Sequence, residues 1–543
     1  MAPSLENAAF HASAAADLAR TLLRSGIVSP EGGLKPALAN PVLLARYRFT
    51  TTRELEQGAR SCPDRIALID DHGTLSYQQL RNHSRTFAQY LQRTHGNGVR
   101  LGIMCRNGRA PIIALGAKGY TDTTVFMLNI GSSAQQLRAT MEENHINVLV
   151  IDSEFAPRVP TDYPTPVDVI IGHHAGPTDH LTLEKIANSA RQYRDEKLPL
   201  IPNLGKVVLM SSGTTGTPKG IVRDEPKIPY ILTSAMERMP WRANQRVLLT
   251  ASIFHTWGWG CLNVALGARN TIITHRVFDP EQSLEDLQRY AIDGMISSPV
   301  MYKQMVAADP RRQYNTSTLK FIASSGHALD PELVRTTNER FGEILHNFYG
   351  STEISLAAVA SNEDLAKDPT VAGRIASGTR IKILDEHHNE VPTGEIGEIY
   401  LRNGMTMTGY TRPGMEVEYV DGMVSIGDYG YLDAGGLLHV CGRVDDMIIV
   451  GGENVHPQSV SSVLEALPGI KEVHAGGVSD EQSFERIAVW VVRTNDAAGK
   501  ALDAHTIQDF VRERLADHSI PRDVHFLDKL PRNATGKVVP RLL

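Results

Sequence analysis

The sequence predicts an α/β protein of more than one domain, and three observations carry that prediction. From about Phe49 to Val300 short β-branched runs alternate with longer polar–apolar stretches, the pattern of strands and helices that builds largely buried parallel sheets. After about Arg380 the pattern shifts to short strands separated by glycines, and after Gly442-Arg443 it shifts again. At 543 residues the chain is also longer than one ordinary hydrophobic core supports.

Residues 1–48 read as an N-terminal helical extension, alanine-rich through 15–24. Leu5, Phe10, Leu18 and Leu22 share part of one helical face, expected to dock on the protein's own body, with a membrane surface as the alternative. Strands are expected at 66–69, 147–151, 169–171, 247–249 and 319–323, and helices at 77–92 and 283–292. Residues 49–442 thus form one large domain of parallel-rich α/β subdomains. It ends in a small β-barrel-like subdomain of short antiparallel strands at 381–384, 397–401 and 436–440. Residues 443–543 read as a small, separate α+β domain: helix 458–467, strand 487–492, helix 507–515 and strand 524–527.

Composition narrows the function classes. The chain is 42% apolar and 21% charged with a net charge of −6, against the basic excess of a nucleic-acid binder. Cys62, Cys105, Cys261 and Cys441 are far apart and form no C-x-x-C pair, so neither a disulfide framework nor a zinc ribbon is expected, and a reducing cytosol is the natural compartment. No apolar run reaches the roughly 18 residues of a spanning helix, and no secretory signal pattern opens the chain.

The most informative stretch is Ser211-Ser212-Gly213-Thr214-Thr215-Gly216-Thr217-Pro218-Lys219-Gly220, directly after the apolar 207–210. Glycines allow close backbone approach to a ligand. Hydroxyls and free N–H groups surround phosphate oxygens, and a lysine adds a movable charge. The segment reads as a strand running into a phosphate-gripping loop, with a plain linker as the alternative. It lacks the Walker A spacing. Its residue order resembles the loop of the adenylate-forming (AMP-binding) enzymes, which include acyl-CoA synthetases, peptide-synthetase adenylation domains and luciferases.

Further motifs follow in the order that resemblance requires. Asn347-Phe348-Tyr349-Gly350-Ser351-Thr352-Glu353 is similar to the family's aromatic-G-[ST]-T-E motif. The resemblance implies Tyr349 against adenine, Thr352 at the α-phosphate, and Glu353 with Thr215 as ligands of Mg²⁺, a cation that takes hard oxygen donors. Gly427-Asp428 resembles the T-G-D element whose aspartate takes the ribose hydroxyls, with Ile426 in the threonine position. The run from Gly442-Arg443 through Asp445 to Gly451-Gly452-Glu453-Asn454 resembles the hinge. It implies Arg443 at the ribose or phosphates, Asp445 as pivot, and Gly452 lining the pantetheine tunnel. Pro531-Arg532-Asn533-Ala534-Thr535-Gly536-Lys537 resembles the catalytic-lysine motif, making Lys537 the group that bridges carboxylate and α-phosphate.

Two segments concern the acyl group. Ile253-Phe254-His255-Thr256-Trp257-Gly258-Trp259-Gly260 resembles an acyl-pocket lining with His255 as a gate, a packed aromatic turn being the alternative; Trp257 and Trp259 shorten an acyl channel or belong to the core. Ser324-Ser325-Gly326-His327-Ala328-Leu329 resembles the turn between adenine and acyl group, so Ser325 and Gly326, with Asn347 and Gly350, join the nucleotide site. The implied enzyme is an acyl-CoA synthetase using ATP, Mg²⁺ and CoA on a carboxylic acid, first a medium- or long-chain fatty acid and second an aromatic acid. Loading of a carrier protein, luciferase-like oxidation and a catalytically silent sensor are the alternatives. CoA is favoured because the chain ends at the lysine motif, leaving no fused carrier domain.

Overall fold

The computed structural model of the chain describes every residue except 1–4, 133, 212–218, 225, 227–229, 413, 416, 444–447, 451–452, 456, 481–483, 516–518 and 534–536. The chain divides into two compact units, one of residues 1–380 with 402–418 and one of 381–401 with 419–543.

The first unit opens with helices Leu5–Ser25 and Leu34–Tyr47. The first of these packs along the helix Tyr230–Arg238, as docking on the protein's own body requires. Two sheets follow. One has the strand order Gly409–Tyr410, Lys219–Val222, Val207–Ser211, Thr123–Met127, Val99–Met104, Val148–Ile151, Asp168–Ile171. Its last five strands are parallel, and the 219–222 and 409–410 strands turn antiparallel at one edge. Val148–Ile151 is buried at all four positions, as expected of a parallel strand covered on both faces.

The second sheet runs Gly373–Ile375, Ala358–Ala360, Leu345–Tyr349, Phe321–Ser324, Gly294–Ser297, Arg246–Leu249, Thr271–Ile273, Ile66–Asp70, Gly73–Ser76. It is parallel from 345–349 to 66–70 and antiparallel at its ends. Local chemistry sets the helix starts. Ser76 and Gln79 form a reciprocal capping box on the helix Tyr77–His95, and the Asp279 carboxylate accepts from Gln282 N at the start of Pro280–Arg289, each satisfying N–H groups without intrahelical partners. One apolar core links the helices of both sheets, from Tyr47 and Phe87 through Ile113 to Phe321 and Phe348.

Charge also ties the two sheets of this unit together. His275 bridges Asp71 at 2.5 Å and Asp286 at 2.6 Å. The adjacent Arg276 reaches Asp152 at 2.5 Å and Glu154 at 2.7 Å. Two donated hydrogen bonds require the imidazolium, and the pair of carboxylates, Asp286 foremost, raises its pKa to about 9 against the opposing effect of burial.

In the second unit the strands Arg380–Leu384, Gly397–Arg402, Met423–Leu432 and Leu437–Arg443 lie in that order, with Tyr419–Val420 added beside Met423–Leu432. The expected barrel-like subdomain is therefore an open antiparallel run. Among the described residues the first and fourth strands do not pair, and so few strands are too narrow a sheet to wrap into a cylinder. Beyond it a five-stranded sheet orders Glu453–Val455, Ile448–Val450, Phe484–Arg493, Ile470–Asp480, with Asp523–Leu527 parallel to Phe484–Arg493. Helices Pro457–Glu465 and Ala504–Arg512 share its core through Val460, Leu464, Ile487, Val489, Ile507 and Val511. The long strand Ile470–Asp480 extends the α+β expectation; its glycines and charges had masked it in the sequence. All four cysteines are free.

Candidate functional site

The phosphate-loop lysine does not sit on a loop. Lys219 is the first residue of a returning strand, opposite Ser211 in antiparallel register. Ser212, Gly213, Thr214, Thr215, Gly216, Thr217 and Pro218 lie outside the described residues. Lys219 Nζ donates to the Tyr410 hydroxyl at 3.2 Å and lies 4.4 Å from the centre of that ring. The ring face steadies the ammonium without neutralising it. Gly220 follows because a β-carbon there would come within 2.6–2.7 Å of Thr411 and Val208.

Strands Phe321–Ser324 and Leu345–Tyr349 are parallel neighbours with Ser324 opposite Asn347, so their carboxyl ends deliver two turns side by side, where open α/β sheets bind ligands. Ser325 Oγ donates to Phe348 O at 2.7 Å, locking one turn to the other. Gly326 has φ +96°, a conformation that L side chains rarely adopt. At Gly350 the constraint is steric: a β-carbon would sit 2.0 Å from Ser355 O. Asn347 is buried, and its Oδ1 has no hydrogen-bond partner among the described residues. Next to it, burial holds the His346 imidazole below its ordinary pKa.

The two sheets converge at the Thr352-Glu353 turn. Arg223, one residue beyond the Lys219–Val222 strand, is buried and donates from Nη2 to Thr352 O. Met407 N donates to Glu353 O at 2.7 Å, and Thr408 N donates to Val222 O at 2.8 Å. One short segment thereby holds Glu353 and the Lys219 strand in a fixed relation. Glu353 N donates to Ser351 Oγ at 3.2 Å. Its half-buried carboxylate has no paired cation among the described residues, and these residues contain no cluster of three or more His, Cys, Asp or Glu suited to a metal. A single carboxylate held against the Lys219 strand fits Mg²⁺, which takes one or two carboxylates and fills its shell with phosphate and water oxygens.

The aromatic segment is a tight turn that becomes a helix. His255 N donates to Ser252 O at 3.1 Å, and His255 is the N-cap residue of the helix Thr256–Gly267. Trp257 Nε1 donates to Ser297 O at 3.0 Å while its ring lies 5.0 Å from Phe348. The Arg223 guanidinium lies 5.8 Å from the Trp259 ring. The segment carrying His255 is thus packed against both the Asn347–Tyr349 strand end and the Thr352 anchor. Arg223, Tyr410 and Met407 escape sequence reading because each acts through a contact more than 50 residues away.

In the second unit, Gly427 has φ +73° and its N–H donates to Ser425 Oγ at 3.0 Å. Asp428 is buried in the next position and faces Arg443 across the antiparallel ladder. Ile426 is buried too, so the position where threonine was expected serves packing. Lys537 is exposed, beside the bridge between Arg532 and Val538. Its backbone is fixed by Asn533, whose Oδ1 accepts from Lys537 N at 3.0 Å. The Arg532–Glu472 ion pair at 2.6 Å anchors the turn to the five-stranded sheet. Asp445 and Gly452 lie outside the described residues. A cavity of about 220 Å³ elsewhere in the first unit, lined by His72, His83, Arg109 and His173 among others, includes none of the predicted site residues.

Residues 55–411 match the model of the AMP-binding enzyme family and residues 459–537 that of the AMP-binding enzyme C-terminal domain. The chain belongs to the AMP-binding enzyme family, the adenylate-forming superfamily. It is 28% identical over 88% of its length to an indoleacetate–CoA ligase of Aromatoleum aromaticum, covering 94% of that protein. It is 28% identical over 83% of its length to a medium/long-chain-fatty-acid–CoA ligase of Mycobacterium tuberculosis, covering 82% of it. A fatty acid–[acyl-carrier-protein] ligase of Streptomyces coeruleorubidus is 25% identical over 89% of this chain and 93% of its own. In fold the chain is similar to the o-succinylbenzoate CoA synthetase of Bacillus subtilis solved with its acyl-adenylate intermediate (TM-score 0.77, 24% identity, 90% of this chain and 97% of the other). Within its family the chain is an AMP-forming acid–thiol ligase.

Proposed function

We propose that the chain is an acyl-CoA synthetase that adenylates a medium- or long-chain fatty acid with ATP, releases pyrophosphate, and transfers the acyl group from AMP to CoA. The observation that carries this reading is the junction at Thr352-Glu353, where Arg223 and Met407 hold the two sheets of the first unit against each other. It brings Lys219, Tyr349, Thr352 and Glu353 to the carboxyl ends of parallel strands, where a nucleotide is expected.

The roles follow from the chemistry of each group. Tyr349 stacks on adenine, and the unpartnered Asn347 Oδ1 offers an acceptor beside it. Ser325, Gly326 and Gly350 supply backbone close enough to approach the nucleotide. Ser211, Lys219 and the loop between them hold the β- and γ-phosphates, while Thr352 hydrogen-bonds the α-phosphate. Glu353 and Thr215 would hold Mg²⁺, which when bound offsets phosphate charge. In the second unit Asp428 and Arg443 take the ribose, and Lys537 stabilises the charge developing between carboxylate and α-phosphate. Rotation of residues 443–543 about Asp445 then withdraws Lys537 and presents Gly452 to the pantetheine thiol. One site thus serves two half-reactions.

The fatty-acid assignment is supported by the fatty-acid ligases among the relatives. An aromatic acid is the second reading, favoured by the indoleacetate relative and by the aromatic groups around His255, the proposed gate. The test is acid-dependent AMP release with CoA, across straight-chain acids from hexanoate to stearate and a set of benzoates and arylacetates. Highest kcat/KM on a fatty acid supports the reading. Preference for an aryl acid replaces it with the second, and acyl transfer to a carrier protein but not to CoA rejects CoA as acceptor.

A further inference from the structure

The helix Leu34–Tyr47 presents an apolar face to solvent. Leu34, Leu38 and Val42, each four residues apart, are 76%, 75% and 65% exposed, and Pro41 and Ala45 beside them are exposed too. Residues at this spacing share one side of a helix. The opposite side is satisfied, with Leu43 and Tyr47 buried in the core. Arg46 Nη2 donates to Pro199 O at 3.0 Å, placing the end of the helix beside Leu200 and Ile201, 82% and 89% exposed. Scattered apolar residues are ordinary on a surface, but an aligned row marks an interaction site.

Charge and size identify the partner. Residues 31–48 carry three basic side chains, Lys35, Arg46 and Arg48, against one acidic residue, Glu31, in a chain of net charge −6. Glu31 is itself held by Arg65 and Arg269. The surface around the stripe is therefore locally positive. A 14-residue helix is about 21 Å long and 10 Å across, so its face offers roughly 200 Å². That falls well short of the ~800 Å² per partner of a stable dimer. A bilayer needs no such matched area: apolar side chains enter the headgroup boundary while cations meet anionic lipid. No described helix is long and apolar enough to cross a membrane, so contact would be peripheral.

We infer that this helix face, with Leu200 and Ile201, is a docking surface for an anionic lipid bilayer. The inference does not depend on which acid the enzyme activates. It is tested by sedimentation of the full chain with vesicles of phosphatidylcholine, alone or with about one third phosphatidylglycerol. Binding to the mixed vesicles is expected, with a loss of about tenfold or more in Leu38→Asp/Val42→Asp. Lys35→Glu/Arg48→Glu is expected to abolish the preference for phosphatidylglycerol. Acid-dependent AMP release without vesicles stays at the wild-type rate in both variants, which reports their folding, and Leu38→Gln serves should the aspartate pair misfold. Failure of the wild-type chain to bind, or equal binding by the apolar-face variants, overturns the inference. So does a dimer, seen by light scattering, that those variants dissolve, because the face then belongs to a second copy.

Discussion

Lys219 Nζ rests against Tyr410, 3.2 Å from its hydroxyl and 4.4 Å from the ring centre, although 190 residues separate the two in the chain. The Lys219 ammonium, proposed to hold phosphates, is therefore oriented by an aromatic face on a neighbouring strand. Tyr410→Phe keeps the face and removes the hydroxyl, and a rise in KM for ATP of about 2–5-fold is expected. Tyr410→Leu removes both and should raise it further, while Lys219→Met costs about a hundredfold in adenylation. Steady-state pyrophosphate release at varied ATP checks this order; equal effects of the two tyrosine variants would leave the ring without a role.

Gly350 has no room for a β-carbon, since Ser355 O would lie 2.0 Å from it. Gly350→Ala must push the Tyr349–Glu353 turn away from its register, and misplacement on that scale costs about a hundredfold in rate. The expected signature is a loss of adenylation in a protein of normal thermal stability. Gly326→Ala is milder, because nothing lies within 4 Å and only the positive φ is strained.

Lys537→Ala is expected to lower adenylation by about 10²–10³-fold while leaving thioester formation from presynthesised acyl-adenylate nearly intact. Asp445→Pro gives the reverse pattern, because proline fixes one hinge dihedral. Single-turnover measurement of each half-reaction separates them. Equal loss of both steps in the lysine variant, or full retention of both in the proline variant, contradicts the two-conformation reading.

The Asp71–His275–Asp286 bridge makes stability depend on pH. The folded-state pKa of His275 is raised from 6.5 to about 9, so its stabilisation is complete below pH 6.5 and is lost as pH rises towards 9. A fall in thermal midpoint of about 3 °C across that window is expected, roughly the effect of 1 kcal/mol in a large domain. His275→Gln should flatten that slope, and an unchanged slope would place its origin elsewhere.

Much of the site was legible because its chemistry is written in contiguous runs. Tyr349, Gly350, Thr352 and Glu353 are neighbours, so one turn at the end of a strand carries them together. The fold class was legible for a similar reason: buried parallel strands such as 148–151 must be apolar throughout. Three antiparallel strands of the second unit were found individually and Met423–Leu432 was not; their alternation says nothing of closure, and the barrel-like expectation gave way to an open run. The long strand Ile470–Asp480 was hidden because its half-exposed faces carry glycine and charge.

The sequence by itself determined the family, the order of its motifs and the identities of the phosphate, ribose and metal-binding candidates, because those depend on residue type at short spacing. Only the tertiary structure decided that Lys219 opens a strand beside Tyr410, that Arg223 anchors Thr352 O, and that Met407 and Thr408 fasten Glu353 to the Lys219 strand. It also decided which apolar helix face stays in water. These are contacts between segments distant in the chain, set by which strands become neighbours, and no local pattern of side chains encodes that choice.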